Sequence, residues 1–96
     1  MAHPRLESTT RLFETILKLR TVDECYDFFE DLCTIRELRD ISQRLEVAFL
    51  RHGGMSYQEV SKRTGVSATT ISRVNRCLEY GSGGYRLAIG RAEETE

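Results

Sequence analysis

The chain has 96 residues, 40% hydrophobic and 30% charged with one proline and a formal net charge of -1. That composition is the one of a folded globular protein and excludes a disordered chain. No window approaches the roughly 18 uninterrupted apolar residues of a membrane span, and the first residues, MAHPRLESTT, lack a signal peptide's apolar core, so a cytoplasmic protein with no membrane partner is expected.

A single domain of this size buries a modest core and gains from a partner chain. Helical spacing governs the apolar residues almost throughout. The first predicted helix runs from Glu7 to Leu19, with Ser8 or Thr9 as its cap and Leu12, Phe13, Ile16 and Leu17 on one face. The second begins at Thr21, where Thr21 and Glu24 have capping-box spacing. Val22, Cys25, Tyr26, Phe29, Leu32 and Cys33 then form the stripe of a helix packed on an apolar neighbour. The third repeats the device with Thr34 and Glu37, carries Ile35, Leu38, Ile41, Leu45, Ala48 and Phe49, and stops at Gly53 and Gly54. The short connector predicts an antiparallel pairing of the second and third helices. Phe28, Phe49 and Leu50 widen the apolar surface beyond one stripe, which points to a second chain.

From Tyr57 onward the pattern becomes two short helices across a tight turn: YQEVSKRT, then Gly65, then SATTISRVNRCL with Ser67 as N-cap. Val60, Val66, Ile71 and Val74 fall where such helices bury each other, Ser61 is small where they approach, and Gly65 suits a left-handed turn. A plain helical hairpin shares these features. The exposed face separates the two readings: Ala68, Thr69, Ser72 and Arg76 are short or basic, so the helix fits a major groove about 12 Å wide.

Charge is distributed to match. Residues 1–59 hold eight Lys/Arg and eleven Asp/Glu, residues 60–91 six against one, and residues 92–96 three acids. A polyanion senses the local patch, because salt screens charges beyond about 8 to 10 Å.

The segment MSYQEVSKRTGVSATTISRVNRCL resembles the helix-turn-helix of the Trp repressor superfamily. ATTISRVNRCLEYGSGGY together with DLCTIRELRDISQRLEVA resembles its YerC/YecD-like branch, over about residues 10–87. The resemblance implies an all-α fold, a Trp-repressor-like helical domain with a C-terminal helix-turn-helix, in an intertwined homodimer on double-stranded DNA. Half-sites of such dimers lie about 34 Å apart. One domain over 1–96 is expected, with a dimerisation region at 6–54, the helix-turn-helix at 55–80 and a glycine-rich turn and tail at 81–96.

The resemblance also assigns residues. It places Ala68, Thr69, Thr70 and Ser72 at the DNA, and with Gln58, the cap Ser67 and the exposed Arg76 they make the DNA-binding set. Gln58 and Ser61 stand where the family has basic contacts, so Lys62, Arg63, Arg76 and Arg86 are left to supply affinity. The family's corepressor lies between two arginines. Arg73 matches one; Arg44 matches the other after a one-residue gap, and Gln43 stands there without it. Val74 in place of a glycine and Cys77 in place of a serine argue against tryptophan, leaving another small-molecule effector or none.

YGSGGYR is expected to be a flexible turn that returns Tyr85, Leu87 and Ile89 to the body, and RAEETE a disordered tail. No strand precedes the glycines, so no nucleotide-binding fingerprint is indicated. Cys25, Cys33 and Cys77 form no C-x-x-C pair, and His3 and His52 add no ligand spacing, so buried thiols are expected and no metal site. With no catalytic arrangement to assemble from these residues, neither an enzyme nor a cofactor is expected. The sequence therefore predicts a sequence-specific transcriptional regulator, a dimeric repressor, with a protein-interaction module of the same fold as the alternative.

Overall fold

Helices account for all the regular structure of residues 4–94, the part of the chain that this computed structural model describes. In order they are α1 (Glu7–Ile16), α2 (Val22–Leu32), α3 (Ile35–His52), α4 (Tyr57–Thr64), α5 (Ala68–Tyr80) and α6 (Gly84–Ala92). The chain divides into two compact units, with the boundary inside α3 between Arg39 and Asp40. His3 and the last two residues of the acidic tail lie outside the described residues.

In the N-terminal unit the helix ends follow local chemistry. Leu6, with no side-chain hydrogen bond, is the N-cap of α1, and Ser8 and Thr9 lie within the helix instead of capping it. The helix ends at Ile16 because the next amides tighten to three-residue spacing: Lys18 N–H donates to the Thr15 carbonyl and Leu19 N–H to that of Ile16, both at 3.0 Å. At α2 the Thr21 hydroxyl accepts from the Glu24 amide at 3.0 Å, while the Glu24 carboxylate accepts from the Arg20 amide at 2.7 Å, one residue before the expected position. Thr34 and Glu37 close a complete capping box, at 3.0 and 2.8 Å. Neither α1 nor α2 has a buried residue. In the α2 stripe Val22 is 72% exposed and Tyr26 58%.

The C-terminal unit holds the core. Val47 and Ala48 from α3, Val60 from α4, Ile71, Val74 and Leu78 from α5, and Ile89 from α6 are buried together, with Phe49, Leu50, Met55, Val66 and Tyr85 packed around them. The α3 terminus is a Schellman motif: Met55 N–H donates to the Leu50 carbonyl and Gly54 N–H to that of Arg51. Gly54 supplies the left-handed residue at φ +93°.

The turn between α4 and α5 is built from short polar side chains. Gly65 is left-handed at φ +76°, the Ser61 hydroxyl donates to the Val66 carbonyl at 2.9 Å, and the Thr64 hydroxyl accepts from the Val66 amide at 3.2 Å. A Cβ on Gly65 would meet no atom within 4 Å, so Gly65→Ala isolates the backbone term. It is expected to lower unfolding free energy by about 1–2 kcal/mol in urea titrations, with the helical circular dichroism of the folded state unchanged.

The helix α6 departs from the expected turn and tail. Only residues 81–83 form the turn, and Gly84 to Ala92 are helical, including Arg91 and Ala92 of the expected tail. Its glycines give weak intrinsic helix propensity, and packing overrides it: Ile89 is fully buried and Tyr85, one turn earlier, rests on the core. Leu87 points away and is 55% exposed. Cys77 also differs from expectation, lying exposed, whereas Cys25 and Cys33 are half-buried.

Candidate nucleic-acid interface

Helix α5 has two unlike faces. Ile71, Val74 and Leu78, at i, i+3 and i+7, point into the core. The opposite face carries Ala68, Thr69, Ser72, Arg73 and Arg76, which with Tyr57 of α4 line an open groove of about 520 Å³. The side chains are small at the helix start and basic further along. Bases are thus offered close approach to the backbone, and phosphates two cations.

The helix start is fixed by its cap. Ser67 Oγ accepts from the Thr70 amide, and the Ser67 and Thr70 hydroxyls are 3.3 Å apart. Thr70 is half-buried and does not line the groove. Gln58 is exposed on α4, also outside the groove's wall; its neighbour Tyr57 takes that place.

The remaining basic residues have separate surroundings. Arg63 lines a different groove with Gln43, Glu46, Leu50 and Thr64. Arg86 donates through Nε to the Leu78 carbonyl at 2.6 Å, which ties α6 to the end of α5. Lys62 is exposed near the C-terminus of α4.

The arginine pair that the resemblance gives an effector is Arg73 and Arg44. Arg73 belongs to the α5 groove, whereas Arg44 acts on Tyr85. Burial pushes the Tyr85 hydroxyl above its ordinary pKa, the nearby Cys77 adds to the rise, and the Arg44 charge opposes both. Gln43, the ungapped alternative to Arg44, lies in the Arg63 groove. Val74 is 2% exposed, a core residue and not a wall of the Arg73 groove.

Arg51 does not stand out in the sequence, yet it joins three elements. Its Nε donates to Asn75 Oδ1 at 3.0 Å, its Nη1 donates to the Met55 carbonyl at 2.7 Å, and its guanidinium lies 4.7 Å from the centre of the Tyr57 ring. Helix α3, the entry to α4 and the middle of α5 are thereby connected through one planar group. Arg51, Tyr57 and Asn75 share no periodicity along the chain that would reveal this.

A family model described as Trp repressor protein matches residues 7–93. The chain belongs to the Trp repressor family. Membership points to a DNA-binding regulator. YerC of Bacillus subtilis (strain 168), an uncharacterised protein, is 50% identical over 86 residues, 90% of this chain and 83% of YerC. Among solved structures, a TrpR-like protein from Eubacterium eligens superposes with a TM-score of 0.89 at 44% identity, covering 96% of this chain and 95% of that one. A structure from Staphylococcus aureus gives 0.88 at 41% identity, over 96% and 93% of the two chains. These likenesses extend through α6, so the last helix is part of the Trp repressor fold in this chain. Among the described residues no helix is long and apolar enough to cross a membrane.

Proposed function

We propose that the protein is a homodimeric, sequence-specific repressor that sets α5 of each protomer into successive major grooves of a palindrome-like operator and excludes polymerase from it. The observation that carries this reading is the groove shared by Ala68, Thr69, Ser72, Arg73 and Arg76 on the face of α5 opposite the core. Ala68, Thr69 and Ser72 are the readers at base edges, and Ser67 presents the helix start. Arg76 and Arg73 are the phosphate anchors, and Gln58 is a flanking contact from α4. Thr70 serves the cap.

Arg73 is assigned to DNA because it shares the readers' groove. A small-molecule effector held between Arg73 and Arg44 is not part of this reading.

Selection of bound duplexes from random sequence, followed by titration of two variants, tests it. Thr69→Ala is expected to cost about 1–3 kcal/mol on the selected site and little on random DNA. Arg76→Ala is expected to weaken binding to both and to reduce the salt slope by about one for each phosphate it leaves without a cation. Anisotropy titrations across a salt series measure both quantities. Equal losses on selected and random DNA for both variants would remove the division of roles. An absence of sequence enrichment, with tight capture of a protein partner, would favour the interaction module.

A further inference from the structure

We propose that Tyr57, held in place by Arg51, is a further reading residue, and that its ring together with the methyl groups of Ala68 and Thr69 forms a seat for the C5-methyl group of a thymine. The inference rests on the DNA-binding reading above and extends the reading surface from α5 onto the first residue of α4.

Tyr57 is 37% exposed and is not a core residue, yet it is not a freely rotating surface ring. The Arg51 guanidinium lies 4.7 Å from the ring centre, and Arg51 is itself fixed by hydrogen bonds to Asn75 Oδ1 and the Met55 carbonyl. That cation is half-buried, which makes its attraction to the ring stronger than at a fully wet site. The ring's orientation is therefore set before DNA arrives, and little side-chain entropy is left to lose on binding.

Position decides what the ring meets. Tyr57 lines the same groove as Ala68 and Thr69, together with Ser72, Arg73 and Arg76. An aromatic ring, an alanine methyl and a threonine methyl are the apolar part of that groove's lining. In the major groove the one apolar group on any base edge is the thymine methyl, and alanine, threonine and aromatic side chains are its usual partners. Arg51 is then a positioning residue: it holds Tyr57 from behind, and its link to Asn75 ties the ring's support to the middle of α5.

The test uses the strongest duplex recovered by selection, with its thymines replaced by deoxyuridine one symmetry-related pair at a time. This removes the methyl group and leaves the hydrogen-bonding edge intact. Wild-type protein is expected to lose about fourfold in affinity per methyl at one position in each half-site, the free energy of one buried methylene. Tyr57→Phe keeps that sensitivity, and Tyr57→Ala binds the thymine and deoxyuridine duplexes equally. Arg51→Lys, which keeps the charge and loses the planar fork, shrinks the thymine-to-deoxyuridine ratio. That ratio does not move if Arg51 contributes to stability alone.

A wild-type protein indifferent to every replacement overturns the proposal, as does a sensitivity that persists in Tyr57→Ala. If Tyr57→Phe is as weak as Tyr57→Ala, the hydroxyl group and not the ring makes the contact, and the methyl seat is wrong. Failure of the selection to enrich any sequence removes the repressor reading itself, and this inference with it.

Discussion

Ile71→Ala is expected to lower the unfolding free energy by about 2–5 kcal/mol, while Ser72→Ala, one residue along, stays within about 0.5 kcal/mol. Ile71 is fully buried and Ser72 lies in the open groove, although they are adjacent on α5. The side chain of Ile71 packs within a core of seven buried residues drawn from α3, α4, α5 and α6. Total stabilities of small domains are about 5–15 kcal/mol, so the loss is a large part of the whole. Urea or thermal unfolding of the two variants measures it. The functional readout separates them in the opposite sense. Added operator duplex restores much of the melting temperature of Ile71→Ala, since a ligand that binds only the folded state stabilises it by mass action, whereas Ser72→Ala melts normally and shows its deficit in binding. A cost below about 1 kcal/mol for Ile71→Ala would mean that α5 is not anchored through this face.

That contrast between neighbours is visible in the sequence, because it depends on local chemistry. Ser67 caps α5, Gly65 is left-handed and Thr34 with Glu37 form a box, all at the positions where spacing and side-chain type put them. The two faces of α5 follow from the same 3.6-residue period: Ile71 and Val74 inward, Ala68, Thr69, Ser72 and Arg76 outward.

Features that depend on distant parts of the chain are not visible there. Helix α6 reads as a turn because glycines at 83, 84 and 90 outweigh the i, i+4 pair Tyr85 and Ile89 until the core is there to receive it. Arg51 looks like an ordinary basic residue near a helix end, a position that the helix dipole favours, and only the folded chain brings Asn75 and the Tyr57 ring to it. Thr70 groups with its neighbours as a reader in the sequence, and its hydrogen bonds with Ser67 show only in the folded chain. Arg44 and Arg73 pair by resemblance alone, and the effect of Arg44 on Tyr85 has no sign in the sequence.

Phe13→Lys is expected to convert a dimer into monomers and to make the N-terminal helices melt early. One chain leaves much apolar surface open. Helices α1 and α2 bury none of their residues, and α3 buries only Val47 and Ala48 near its C-terminal end. Leu17 is 81% exposed, Ile35 80%, Val22 72% and Phe13 57%. An apolar cleft of about 760 Å³ along α1, lined among others by Leu6, Phe13 and Leu17, is likewise uncovered. Each such side chain gains roughly 1.5–3 kcal/mol when fully buried, and helices this short have marginal stability without tertiary packing. In the proposed homodimer a second copy of the chain would supply an identical apolar face, and a two-fold pairing would let each cover the other. Lysine at position 13 would then place two unpaired charges in that interface, each costing about 3 kcal/mol or more, enough to raise the dissociation constant by at least about a hundredfold for each. Light scattering at micromolar concentration is expected to give twice the chain mass of 11.1 kDa for the wild type and a single chain mass for Phe13→Lys. Phe13→Leu, which keeps the apolar contact, retains the dimer, and the wild-type melting temperature rises with concentration as linked folding and association require. A wild-type protein that is monomeric at these concentrations, with a concentration-independent melt, would refute the pairing. It would also leave each α5 groove to bind its half-site alone, without the about 34 Å spacing that couples two recognition helices.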